Sequence, residues 1–207
     1  MKKLAVFDFD STLMQGETIE IIADEAGLKN EVAAITKRAM EGELDFFDSL
    51  TQRVSLLKGI KESRVNEICQ NLPYTNGAKE TITELKKRGY IVVCFSGGFK
   101  NATEYAKKIL GYDTDFSNTL HSQNGILTGQ VGGPMMFSDS KGIMLKKLQS
   151  ILGISQENTI AIGDGANDIS MFRCSKEKIA FCAKPILKEA ATVTIDEHDL
   201  TQILQYC

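Results

Sequence analysis

The chain has 207 residues, of which 43% are hydrophobic, and 27 acidic against 24 basic side chains give a net charge of -3. That length suits one domain with a modest insertion and a sizeable core. The basic residues are scattered and Trp is absent, which argues against nucleic acid as a partner. No apolar run approaches the roughly 18 residues that span a bilayer, so no membrane association is expected. The opening "MKKLAVFDFD" meets acids after four apolar residues, unlike a secretory leader. Five cysteines without a CxxC pair point to reduced thiols and a cytoplasmic location. Cys94 and Cys182 lie in apolar runs and are expected to fill the core. With His121 and His198 as its two histidines, the chain has little for a histidine zinc site or a catalytic triad.

Five apolar runs read as strands: "LAVF" (4–7), "YIVVCF" (90–95), "TIAI" (159–162), "KIAFC" (178–182) and "TVTI" (192–195). They are apolar at nearly every position, as in a parallel sheet covered on both faces. Residues 17–72 contain no such run and read as three or four inserted helices. "NGAKETITELKKRG" places Ala78, Ile82 and Leu85 on one helical face and stops at Gly89. "NTLHSQNGILTGQV" (118–131) reads as a β-hairpin excursion, with turn signals at "QNG" and "TG". "KGIMLKKLQSILG" reads as a helix burying Ile143, Leu148 and Leu152 and ending at Gly153. The expected fold is α/β: a doubly wound, mostly parallel sheet with an inserted helical cap and a small hairpin. The division is a core of 1–16 and 73–207 with a cap of 17–72.

In such sheets ligands bind beyond the carboxyl ends of the strands. The first strand delivers Asp8 and Asp10, which a period of two places on one side, with Phe7 and Phe9 on the other. The second delivers Ser96, Gly97 and Gly98, a hydroxyl and backbone N–H groups before a helix, an anion cradle. The third delivers "GDGAND", with Asp164, Asn167 and Asp168 in a glycine-rich turn, and Lys141 begins a helix between the two. Each piece alone has a bland reading as a turn, a helix start or a solvated charge. Together they describe one site. Converging carboxylates repel, and a hard divalent cation relieves that; Mg²⁺ takes oxygen ligands and keeps several waters. A cation, an anion cradle and a lysine suit a phosphate substrate, because phosphoryl transfer demands positioning and charge neutralisation. Asp8 is the expected nucleophile, since an ionised carboxylate needs no activating base. Asp10 is the expected acid–base, protonating the leaving alkoxide and then activating water, a role that typically contributes about 10²–10⁴-fold.

"DFDST", "SGG", the lysine of "SKG" and "GDGAND", in that order, resemble the haloacid dehalogenase superfamily of aspartate phosphatases. Adding "ETI", "RAMEGELDF", "RVSLLKG", "GDGANDISMF" and "AFCAKPIL", the chain from Lys3 to its last helix resembles that superfamily's phosphoserine phosphatase family. The resemblance implies Mg²⁺ held by Asp8, the backbone carbonyl of Asp10, and Asp164. It implies phosphate bound by Ser96, Gly97 and Lys141, with Asn167 and Asp168 in support. Some members carry an N-terminal regulatory domain; with a strand starting at residue 4, none is expected here.

In "FFDSLTQRVSLLKG", Phe46, Leu50, Arg53 and Leu57 share one helical face, so Arg53 interrupts an apolar stripe. It reads as a snorkelling side chain, a structural ion pair, or a bidentate clamp for a carboxylate. Glu17 reads as an acid in a first helical turn or as the receiver of an ammonium group. From the residues, the substrate is a small zwitterionic phosphate ester. The resemblance narrows it to O-phospho-L-serine, hydrolysed in the last step of serine biosynthesis, with Met40 and Phe46 closing an apolar lid. Alternatives are a phosphotransferase to an alcohol such as homoserine, a phosphatase for another small ester, and a non-enzymatic sensor. The chain is expected to act as a monomer or homodimer.

Overall fold

The computed structural model describes residues 2–40 and 43–207, with the side chain of Met40 left undescribed. Seven strands form one sheet in the order β4-β3-β2-β1-β5-β6-β7. They are β1 (Lys3–Asp8), β2 (Tyr90–Phe99), β3 (Thr114–Gln123), β4 (Ile126–Gly132), β5 (Thr159–Gly163), β6 (Glu177–Phe181) and β7 (Val193–Ile195). All neighbours run parallel except β3 and β4. β1 lies at the centre, with Phe7 opposite Cys94 on one side and Ile162 on the other.

The chain winds outward from β1 in both directions, so the crevice at its carboxyl end is a topological switch point. Side chains of β1 alternate between two cores. Ala5 and Phe7 pack with α5 (Ala78–Lys87) and α6 (Lys100–Leu110), whereas Leu4 and Val6 pack with α7 (Ser140–Leu152) and α8 (Ile169–Phe172). α9 (Pro185–Lys188) precedes β7. Burial on both faces explains why the strands read as unbroken apolar runs.

Three expectations need correction. The hairpin is no excursion: its first strand starts at Thr114, and its early residues pair in parallel with β2. The run "TDFSNT" hid this strand, because its polar side chains are satisfied by a buried network of Thr103, Asp115 and Ser117. In α7 the face set against the core holds Lys141 and Leu145, and Ile143 is 49% exposed. The need to bring Lys141 into the interior fixes the rotation of that helix. Cys182 lies past the end of β6, partly exposed at φ 44°, with Sγ 3.6 Å from the Glu197 carbonyl.

Between β1 and α5 the chain forms α1 (Thr18–Glu25), α2 (Lys29–Met40), α3 (Phe46–Ser55) and α4 (Glu62–Gln70). The strands entering and leaving this segment pair with each other: Gln15 donates to Pro73 at 2.8 Å and Thr75 to Leu13 at 3.0 Å. The tip of the β3–β4 hairpin holds the α3–α4 connection through Gly59 N–H to Leu127 O at 2.9 Å, Leu127 N–H to Ile60 O at 2.8 Å and Glu62 N–H to Gly125 O at 2.9 Å.

Candidate active site

Asp8 closes β1 and is buried. Its Oδ1 accepts the Phe9 N–H at 2.6 Å and lies 2.7 Å from Lys141 Nζ, while Oδ2 accepts from Asn167 Nδ2 at 3.3 Å. Lys141 Nζ also lies 2.6 Å from Asp168 Oδ1. The other Asp168 oxygen accepts the backbone N–H groups of Asp164 (3.0 Å) and Gly165 (3.1 Å). Asp168 thus fixes the glycine-rich turn with one oxygen and Lys141 with the other. A Cβ at position 163 would come within 2.3 Å of that carboxylate, so β5 must end in glycine. Burial acts to lower the Lys141 pKa, but Asp168 and Asp8 outweigh it and hold the ammonium protonated.

Carboxylate oxygens of Asp8, Asp164 and Asp168 lie within 4.8 Å of one another, all on buried residues. Burial, then the charge of Asp8, pushes Asp164 up to about 6. Lys141 supplies one buried positive charge against three carboxylates. This oxygen-rich, under-neutralised set fits a hard divalent cation.

Asp10 departs from the expected grouping. The β1 ladder stops at Asp8, and Asp10 lies in the turn over Phe9–Leu13, outside the carboxylate cluster. Its Oδ1 accepts from the Thr18 N–H at 2.8 Å and the Thr18 hydroxyl at 2.5 Å. Its other oxygen, Oδ2, lies beside Gly98, where a Cβ would come within 2.8 Å of it. The group sits deep in the crevice, although partly accessible, and burial pushes it up to about 6 against the lowering effect of Thr18.

Ser96 to Gly98 leave the regular ladder: the β2–β3 register breaks between Phe95 and Phe99. The buried Ser96 Oγ accepts the Gly98 N–H at 2.9 Å, and the Gly97 carbonyl accepts from Asn118 Nδ2 at 3.0 Å. Phe46, at the start of α3, lies directly against Gly97, where a Cβ would meet its Cζ at 2.9 Å. Phe47 stacks on Phe137 from the β4–α7 connection, with ring centroids 5.3 Å apart. Such a stack contributes about 0.5–1.5 kcal/mol beyond area burial.

Glu17 precedes α1 and makes no capping bond; its Oε1 accepts from the Ser11 hydroxyl at 3.1 Å. Burial, then Asp10 and Asp164, push its carboxyl up to about 8. Arg53 donates through Nε to the Ser49 carbonyl at 3.2 Å, and its terminal nitrogens have no protein partner among the described residues. Burial lowers its pKa, with Glu17 the first of the charges opposing that. Glu17 and Arg53 thus lie near enough to feel each other's charge and that of Asp10. Met40 ends α2, and its side chain lies outside the described residues.

The sequence reading missed Thr18, Asn118 and Lys184. Lys184 Nζ lies 3.9 Å from Asp164 Oδ2, and its charge reaches Glu17. It follows the fourth strand end to reach the crevice, where "AKP" could have drawn attention. Thr18 and Asn118 act through other residues, which spacing alone does not reveal.

Comparison with known proteins agrees with this geometry. A family model for haloacid dehalogenase-like hydrolases matches residues 2–176. The chain is 61% identical to a phosphoserine phosphatase of Wolinella succinogenes, covering 99% of each chain. It is 53% identical to one of Methanocaldococcus jannaschii, covering 99% of this chain and 97% of that one. A solved phospho-aspartyl intermediate analogue of phosphoserine phosphatase superposes with a TM-score of 0.94 at 53% identity, covering 99% of this chain and 98% of the other. Among the described residues no helix is long and apolar enough to cross a membrane. The chain belongs to the haloacid dehalogenase-like hydrolase family.

Proposed function

We infer that this chain hydrolyses O-phosphoserine to serine and phosphate through an aspartyl-phosphate on Asp8. The observation that carries this reading is the pairing of Asp8, held by Lys141 and Asn167, with a second carboxyl two residues on that is held by Thr18. The first is positioned for attack on phosphorus. The second is poised to exchange a proton near neutral pH. Mg²⁺ is the proposed cofactor, held by Asp8, Asp164 and the backbone carbonyl of Asp10, with Asp168 in support; when bound it neutralises charge on the phosphoryl oxygens.

Ser96, Gly97 and Lys141 receive the phosphate, and Asn167 orients Asp8 toward it. Asp10, protonated, gives its proton to the leaving serine oxygen. As a carboxylate it then takes a proton from the water that cleaves the acyl phosphate. The α1–α4 segment, residues 17–72, serves as the lid. Arg53 clamps the substrate carboxylate. Glu17 receives the ammonium group, whose positive charge favours the ionised carboxylate that burial now opposes. Phe46 excludes water above Gly97, which strengthens each of these contacts. The reaction would close a serine-forming pathway.

Phosphate release from L-phosphoserine, p-nitrophenyl phosphate and phosphothreonine, with Mg²⁺ and with chelator, tests the reading. Mg²⁺-dependent preference for phosphoserine is expected. Formation of a new phosphoester from added homoserine, in place of free phosphate, would reassign the chain as a phosphotransferase.

Two further outcomes follow from the geometry. Thr18→Val removes the hydroxyl that favours ionised Asp10, so the Asp10 pKa rises. The base-catalysed dephosphorylation limb of the pH–kcat profile should move upward by about one pH unit. An unmoved inflection would assign the titration elsewhere. Phe137→Ala removes the stack under α3 and should raise KM for phosphoserine about 2–10-fold with little change in kcat, from the stacking energy above. An unchanged KM would mean that the stack plays no part in lid closure.

A further inference from the structure

Asn118 is fully buried on β3, opposite Phe99, where β2 rejoins the ladder after its break. Its Nδ2 donates to the Gly97 carbonyl and to the Met135 carbonyl, each at 3.0 Å, and its Oδ1 accepts the Met135 N–H at 2.9 Å. We propose that Asn118 is a positioning residue: one side-chain amide sets the phosphate-binding turn of β2 relative to the loop that delivers Lys141. This inference rests on the reading of Ser96 to Gly98 as the phosphate cradle.

Two glycines in succession have wide backbone freedom, and a cradle needs one orientation. The Gly97–Gly98 peptide unit is planar, so fixing its two polar ends fixes the plane. Its N–H is held by Ser96 Oγ at 2.9 Å and its carbonyl by Asn118. The Asn118 side chain thus ties Gly97, which the register break leaves outside the ladder, to β3. On its other side, Asn118 binds Met135 through both backbone groups. Two residues on, the Phe137 N–H donates to Ser140 Oγ at 3.0 Å, at the first turn of the helix bearing Lys141. Gly133 presses the same loop onto Asn118: at φ 151°, a Cβ there would lie 2.7 Å from Asn118 Cα and Oδ1. The backbone cradle and the loop that leads into the lysine's helix come from separate parts of the chain, and Asn118 bonds to Gly97 in the first and to Met135 in the second.

A merely structural buried amide would affect stability alone. The test therefore reads orthophosphate binding by calorimetry in Mg²⁺ buffer, well below the melting temperature, alongside steady-state kinetics on phosphoserine. Asn118→Ala should weaken orthophosphate binding at least tenfold and lower kcat/KM about 10²-fold, the scale expected of a misplaced positioning element. Asn118→Thr keeps the bulk and one hydroxyl donor; it supplies a second folded variant and should show intermediate losses. Ser117→Ala is the control. It is the neighbouring residue of β3, and its hydroxyl bonds Thr103 (2.8 Å) and Asp115 (3.0 Å) instead. It should lose stability while keeping wild-type phosphate affinity. Either folded Asn118 variant binding orthophosphate within twofold of wild type would overturn the inference. A wild-type chain that does not bind orthophosphate would overturn the cradle reading and the inference with it.

Discussion

Asp8→Asn is expected to lower phosphoserine turnover by at least about 10⁴-fold, since losing a covalent nucleophile removes the whole route and not one contact within it. The variant should remain folded. The amide has nearly the shape of the carboxylate, and Lys141 keeps its 2.6 Å pair with Asp168. The central sheet does not depend on the charge, because Phe7 and its neighbours hold β1 through the ladder to β2 and β5. Rapid-quench mass spectrometry gives the check. The wild type should accumulate a form carrying one phosphoryl group on the peptide containing Asp8, and Asp8→Asn should not. Substantial turnover by a homogeneous Asp8→Asn preparation would refute the covalent mechanism.

Arg53→Ala is expected to cost about 10²-fold in kcat/KM on phosphoserine and less than about threefold on p-nitrophenyl phosphate. A charge-assisted pair contributes roughly 1.5–3 kcal/mol, and each 1.4 kcal/mol is tenfold. The comparison isolates the carboxylate, because p-nitrophenyl phosphate lacks one. It also separates the clamp from the snorkelling alternative. Arg53 lies on a helix whose Leu50 and Val54 are buried, so truncation could disturb packing. Packing damage would lower turnover of both esters together. Equal losses would therefore make Arg53 a structural residue and leave substrate choice to other groups.

The convergence of the candidate site residues was legible because most of them sit where a run of apolar residues stops. Asp8, Ser96 and Asp164 follow strand cores whose pattern is unambiguous, and Lys141 lies near a helix start. The third strand was only partly legible. Thr114 to Asn118 are largely polar, yet Ser117 and Asn118 are buried, and Asp115 and Ser117 bond each other and Thr103, a pattern that alternation cannot reveal. The direction of the Asp10 side chain was hidden for a related reason. Spacing brings Asp8 and Asp10 to one site, but it does not show that Thr18, eight residues later, holds one oxygen of the second. Of the hydrophobic stripe on α7, Leu148 and Leu152 do pack against the core, whereas Ile143 turns outward and Lys141 turns in. A buried lysine with two carboxylate partners outweighs an exposed isoleucine, because the alternative is an unpaired interior charge.

The β3–β4 hairpin that holds the α3–α4 connection bears on the thermodynamics of each catalytic cycle. A lid on two free strands would lose broad orientational freedom whenever it closed on substrate, and affinity would fall by that loss. Here the two entering strands are bonded to each other, and the hairpin tip adds a third attachment through Gly59, Ile60 and Glu62. Most of the lid's orientational entropy is therefore surrendered once, during folding. For a segment proposed as the lid, little orientational freedom is then left for a molecule as small as an amino-acid phosphate to remove on binding.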